Sequence, residues 1–228
     1  MRQLPLGVRI PDRAVFGNFL SAKNQEAVEH LQRLARGDIA GIAWICGPSG
    51  VGKTHLLQAT CADANKTMTA GYFPFTELMH LGAGALDGLA QLDCVCIDDV
   101  DRAAAQASWE PGLFGLYREI EERGARLVLS AQAPPSLIDW TLKDLGSRFA
   151  ATAIHQLRAL DETEQRAALQ HRAHVRGFEL PDETARWLQR RFPRDMHTLY
   201  ELLDTLDEAA LVAQRKLTVP FIRTVLKE

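Results

Sequence analysis

The sequence predicts an α/β fold: a five-stranded parallel sheet around a phosphate-binding loop, followed by a small all-α lid domain. Three observations predict it. Gly47-Pro48-Ser49-Gly50-Val51-Gly52-Lys53-Thr54 satisfies the pattern G-x-x-x-x-G-K-[ST] at every position. Short apolar runs alternate with amphipathic helical stretches up to about residue 160, as in sheets covered by helices on both faces. Beyond that point only helical periodicity remains.

Residues 1–13, with Pro5, Gly7 and Pro11, show neither period and read as a flexible arm. Leu20 to Arg36 has helical spacing through Ala27, Val28, Leu31 and Leu34, and Gly37 stops it. Gly41 to Cys46 reads as a buried strand feeding the loop, and Thr54 to Cys61 as the helix leaving it. Ala70 to Phe75 suggests a second strand, weakened by Pro74. Leu92 to Asp99 is a third, an apolar run ending in carboxylates. Gly112 to Arg123 is an amphipathic helix closed by Gly124, and Arg126 to Ser130 is a fourth strand. After Pro134-Pro135, Ile138 to Phe149 is expected to be helical, and Ala153 to Leu157 to be the fifth strand. Asp161-Glu162-Thr163-Glu164 has capping-box spacing and opens a helix to Arg176. Asp182–Phe192, Met196–Arg215 and Val219–Leu226 are three more helices. The expected organisation is an arm (1–13), a nucleotide-binding α/β domain (14–160) and a helical lid (161–228).

The loop residues imply a definite chemistry. Glycines let the backbone turn its N–H groups inward onto phosphates. Lys53 would reach the β- and γ-phosphates, and the Thr54 hydroxyl would hold Mg²⁺. The bound group would be ADP or ATP. Asp98 and Asp99 end an apolar strand, the place of the Mg²⁺-shell carboxylate and of a group that orients the attacking water. By itself such a pair is equally a polar strand end. Ser130 ends the next strand, where it could meet the γ-phosphate or serve as a turn residue. Arg148, taken alone, is a surface arginine; Arg194 opens a helix, where a cation is disfavoured unless an anion is near.

Composition excludes several classes. The chain has 228 residues, 46% of them hydrophobic, enough for a sizeable core. A net charge of −3 gives no global reason to bind nucleic acid. No apolar run approaches the ~20 residues of a membrane helix, and no signal-peptide segment opens the chain, so a cytoplasmic protein without membrane contact is expected. Cys46, Cys61, Cys94 and Cys96 form no C-x-x-C and read as small buried hydrophobes. Trp44, Trp109, Trp140 and Trp187 are spread over different elements and read as core or interface residues. His171 and His174 find no third ligand nearby in sequence and read as solvated.

Taken together, the loop, Asp98-Asp99, the polar strand end, Ser147-Arg148-Phe149 and a helical lid with Arg194 resemble the AAA+ ATPases of the replication-initiator branch, the family of DnaA. Phe16-Gly17-Asn18-Phe19 and Asn24 resemble the segment that packs around adenine there, which implies base-contacting roles for Phe19 and Asn24. Arg176 to Pro181 and Ala213 to Phe221 are similar to the regulatory inactivators of DnaA within that branch.

The resemblance covers nearly the whole chain and implies several roles. Arg148 would be an arginine finger aimed at the nucleotide of a neighbouring subunit, Arg194 the second sensor of the lid and Ser130 the first sensor. Gln132 and Ala133 stand where the family usually has Asp-Arg, which leaves first-sensor behaviour open. Gln3-Leu4-Pro5-Leu6-Gly7-Val8 resembles a sliding-clamp-binding peptide, with Gln3 at a rim and Leu4, Leu6 and Val8 in an apolar groove. Alone, such a string is an ordinary tail. The helix-turn-helix and N-terminal domains of DnaA are expected to be absent. The implied partners are the DNA polymerase III sliding clamp, DnaA, and DNA indirectly through the clamp; self-association is left open. Two other readings stand beside this one: a AAA+ helicase loader that binds single-stranded DNA and the replicative helicase, and a phosphotransferase on the same loop. The acidic lid, with Glu201, Asp204, Asp207 and Glu208, argues against the latter.

Overall fold

The computed structural model describes residues 14–20, 22–106, 108–192, 196–213 and 217–226. Five strands form one parallel sheet: β1 (Gly41–Cys46), β2 (Ala70–Pro74), β3 (Cys94–Asp98), β4 (Arg126–Ala131) and β5 (Ala153–Gln156), in the order β2-β3-β4-β1-β5. The helices of this domain are α1 (Gln25–Arg36), α2 (Lys53–Ala64), α3 (Phe75–Leu81), α4 (Glu110–Arg123) and α5 (Lys143–Ala150). The predicted fold class is the observed one.

Successive side chains of a strand point to opposite faces, so each central strand feeds two cores. Trp44, Val95, Ile97, Leu127 and Leu129 pack with α3, α4 and α5. Ala43, Ile45, Cys94, Cys96 and Val128 pack with α1 and α2. With apolar partners on both sides, the middle stretches of β1, β3 and β4 are apolar, which is why they read as continuous runs, with polar residues only at the ends of β3 and β4. Cys94 and Cys96 do share a face, and Cys46, Cys94 and Cys96 are buried. Trp44, Trp140 and Phe149 meet in one aromatic cluster, with centroids 5.2–6.4 Å apart.

Two stretches depart from expectation. The second strand stops at Pro74, because Phe75 begins α3, a helix the sequence reading missed. The helix expected from Ile138 begins only at Lys143. Tertiary contacts hold residues 138–142 out of the helix. The Trp140 indole donates to Pro135 O at 3.2 Å, and the N–H groups of Thr141 and Leu142 donate to buried Glu110 at 3.1 and 2.5 Å. Glu110 thereby sets where α5 starts. We expect Glu110→Ala to lower stability by about 1–3 kcal/mol, since two partly buried N–H groups lose their acceptor; urea unfolding measures it, and a change below about 0.5 kcal/mol would refute this role.

On the opposite side, α1 meets the edge strand β5 through two histidines. His30 Nδ1 and His155 Nε2 lie 2.6 Å apart. Burial, then the neighbouring His155 and Arg33, holds His30 below its usual pKa, against Glu26; burial does the same to His155. A histidine depressed in the folded state stabilises the fold above its unfolded value, near 6.5, and that stability is lost as pH falls through the folded value. Melting temperature should therefore drop between about pH 7 and pH 5 by a few °C more in the wild type than in His155→Gln. Equal pH slopes would exclude the pair as the cause.

The lid comprises α6 (Glu162–Val175), α7 (Asp182–Arg191), α8 (Met196–Ala213) and α9 (Val219–Leu226) around its own core of Leu169, Leu188, Leu199, Leu203, Leu206 and Ile222. Its entry is the expected capping box: Thr163 N and Glu164 N donate to Asp161 Oδ1, and Asp161 N donates to Glu164 Oε2. Those backbone donors, with Lys23, hold the Asp161 carboxyl down at about 2. Lys23 Nζ reaches both Asp161 and Glu164 at 2.9 Å. The segment before α1 is thus tied to the base of the lid. Among the described residues no helix is long and apolar enough to cross a membrane.

Candidate functional site

The loop 47–54 links β1, in the middle of the sheet, to α2, whose first residue is Lys53. Gly52 has φ +99°, and a Cβ there would lie 2.6 Å from Cε2 of the Phe19 ring. Only glycine allows both that backbone and that contact. Phe19 therefore lies directly over the loop, and His55 pins the same segment through Val15 O at 2.9 Å. Lys53 is buried, with Nζ donating to Gly47 O at 2.8 Å and Pro48 O at 3.1 Å. The carbonyls hold the ammonium across the mouth of the loop, in front of the N-terminus of α2, where anions are stabilised.

The two acids end β3 next to the loop. Thr54 Oγ1 donates to Asp98 Oδ2 at 2.7 Å. Ser130, on neighbouring β4, donates to Asp98 Oδ1 and accepts the Asp99 N–H at 2.9 Å. Ser130 is thus wholly buried between the acids, a positioning role the sequence did not single out. Asp99 sits at φ 55°, the one left-handed non-glycine among the described residues. Such strain collects at functional sites because it aims a side chain the relaxed strand would not. Burial raises the Asp99 pKa, and the nearby Asp98 and Asp101 add to it. A carboxylate of raised basicity facing a cleft suits the orientation of a water.

Above the loop lies a cleft with two lobes. One, of about 590 Å³, is lined by Ser49, Lys53, Thr54, His55, Gln58 and Asp99, and from the lid by His171, Arg172, Tyr200, Glu201 and Asp204. The other, of about 430 Å³, is mostly apolar, with Phe19, Leu20, Val51, Leu160, Met196 and Tyr200. A polar lobe at the loop and an apolar slot beside it suit a polyphosphate and a flat base. The hard oxygens of Thr54 and Asp98 fit Mg²⁺, which binds through one or two protein oxygens, phosphates and water. Among the described residues no cluster of three or more His, Cys, Asp or Glu could hold a metal without such help.

The remaining expected residues divide. Asn24 is not at the base: its side chain is buried in a two-bond clamp on the main chain of Arg158, at 2.9 and 2.8 Å. Its amide is matched to one backbone N–H and one C=O at the hinge, so it braces the lid rather than lining the cleft. Arg148 lines neither lobe. It lies near the end of α5, 3.4 Å from Glu121 and 5.5–5.6 Å from the rings of Phe114 and Tyr117. Gln3, Leu4, Leu6, Val8 and Arg194 fall outside the described residues. His174 is exposed as expected, but His171 is half-buried and faces the cleft. Sequence reasoning also missed Arg172 and Tyr200, whose guanidinium and ring stack at 4.3 Å while Arg172 pairs with Asp204 at 3.4 Å. No motif marks them; only the folding of α6 against α8 brings them over the loop.

The whole fold superposes on domain III of the replication initiation protein DnaA from Thermotoga maritima, with a TM-score of 0.81 at 19% identity, over 96% of this chain and 98% of that one. A family model for the lid domain of Hda matches residues 161–226. Its fold is the AAA+ fold of DnaA domain III, and its lid matches that of Hda. A second family model, described as RNA helicase, matches residues 43–149, the part holding the loop, both acids and Arg148. AMPPCP-bound DnaA from Aquifex aeolicus is similar at TM-score 0.69 and 21% identity, over 83% of this chain and 64% of that one. A RuvB variant from Thermotoga maritima follows the same fold at TM-score 0.70 and 16% identity, over 94% and 71%.

Proposed function

We propose that this AAA+ protein is a negative regulator of replication initiation. Bound to ADP or ATP, it docks on the DNA-loaded sliding clamp through Gln3, Leu4, Leu6 and Val8 and stimulates hydrolysis of ATP held by DnaA. The observation that carries the reading is the place of Arg148: exposed at the end of α5, outside its own cleft, on a chain whose lid matches the Hda model. A cation so placed lies away from the chain's own nucleotide cleft and is free to meet a nucleotide held by another subunit.

The chain's own site supports nucleotide binding, as does the AMPPCP held by the similar DnaA. Lys53 and the loop N–H groups would hold the phosphates, and the apolar slot under Phe19 and Tyr200 the base. Mg²⁺, held through Thr54 and Asp98, would neutralise phosphate charge. Asp99 would orient a water, with Ser130 keeping the two acids in register. The clamp peptide raises the local concentration of the regulator near DNA, so each contact can stay weak.

The test is hydrolysis of DnaA-bound ATP, with and without DNA-loaded clamp, beside a Gln3→Ala/Leu6→Ala double variant. Stimulation that needs the clamp and is lost in the variant is the expected result. No stimulation, with salt-sensitive binding to single strands, would replace this reading with the helicase loader.

A further inference from the structure

The loop-and-acid chemistry leaves one hydroxyl at the site without a role. Tyr72 lies on the edge strand β2, its Cα opposite Cys96, while Pro74 stands opposite Asp98. Side chains two residues apart share a face, so the phenol runs along that face toward the strand end. Its hydroxyl donates to Asp98 Oδ2 at 2.8 Å. Gln58, on α2 and in the wall of the phosphate lobe, lies beside the same phenol.

Asp98 therefore accepts three hydroxyls from three elements. Thr54 from α2 and Tyr72 from β2 share Oδ2, and Ser130 from β4 takes Oδ1. A carboxylate offers about four lone-pair directions. With three occupied, one direction is left for a water of a hydrated cation, and the phenol decides which one. Thr54 and Ser130 hold one oxygen each, and the phenol fills the second direction on Oδ2, which leaves the open one on Oδ1.

We propose that Tyr72 is a positioning residue for the hydrated Mg²⁺ of a bound nucleotide, acting through Asp98. This rests on the nucleotide reading above. Outer partners that fix a ligating carboxylate are commonly worth 10–100-fold in metal affinity.

Tyr72→Phe keeps the ring packing against the α1–α2 core and removes only the hydroxyl. The experiment titrates a fluorescent ADP analogue against wild type and Tyr72→Phe, first in EDTA and then over a Mg²⁺ series. The expected result is equal affinity in EDTA and about tenfold more Mg²⁺ needed by the variant for half of the metal-dependent tightening. Superimposable Mg²⁺ curves would overturn the proposal. So would an equal loss of affinity with and without Mg²⁺, which is the mark of a merely structural tyrosine. A wild type that does not bind the analogue at all would instead overturn the nucleotide reading, and the Tyr72 role with it.

Discussion

Arg148→Ala should abolish stimulation of DnaA-bound ATP hydrolysis, by about 10³-fold or more, while nucleotide affinity stays within about twofold of wild type. The size follows from what a guanidinium does beside a transferring phosphoryl group. Five N–H donors in a planar fork meet charge that develops only in the transition state. The selectivity follows from geometry. Arg148 belongs to neither lobe of its own cleft, so its loss removes no contact to its own nucleotide. Its present partners are Glu121 and the faces of Phe114 and Tyr117, with 44% of the side chain exposed. An exposed pair of this kind contributes about 1 kcal/mol or less, so the fold should survive intact. Arg148→Lys keeps the charge but not the fork and should recover little of the rate. Single-turnover hydrolysis on DnaA measures all three proteins; full stimulation by the alanine variant would remove Arg148 from the mechanism.

Lys53→Ala should weaken nucleotide binding by about 100-fold, the equivalent of one or two charged hydrogen bonds. Lys53 is 7% exposed and points across the loop, held by Gly47 O and Pro48 O. Removing it takes the buried cation from the loop at the place where phosphates would sit. Arg172 cannot substitute, because it is already committed to Asp204 and the Tyr200 ring on the lid. Titration with a fluorescent nucleotide reads the loss directly. Under the proposed function the two variants also separate: Lys53→Ala loses nucleotide and stimulation together, Arg148→Ala only stimulation. An unchanged affinity in Lys53→Ala would refute the phosphate-loop assignment.

Both residues were legible in the sequence, but for different reasons. Lys53 is one of eight consecutive residues whose order alone specifies the loop. Arg148 is an ordinary arginine on a short helix, and only the family resemblance set it apart. Asp98 and Asp99 were legible because an apolar strand that ends in acids is a local pattern. Ser130 was open between a phosphate contact and a turn role; its hydrogen bonds to both acids appear only in the structure. Asn24 shows the limit of a resemblance: the residue is there, yet its amide serves the hinge at Arg158. The helix start at Lys143 was not legible, since the carboxylate that delays it belongs to Glu110, some thirty residues earlier in the chain.

By itself, then, the sequence determined whatever is encoded by neighbouring residues: the phosphate loop, the apolar strands that must be buried on both faces, the capping box at Asp161, and the change from alternating to purely helical periodicity near residue 160. Tertiary structure alone decided the strand order β2-β3-β4-β1-β5, which sets β2 and β4 on either side of β3. That order brings the Tyr72 and Ser130 hydroxyls to the two oxygens of Asp98. It likewise took the docking of the lid to bring Arg172 and Tyr200 above Lys53. The physical reason is the same in each case. Periodicity records which face of an element is buried, but not which other element buries it, and these contacts join residues far apart in the chain.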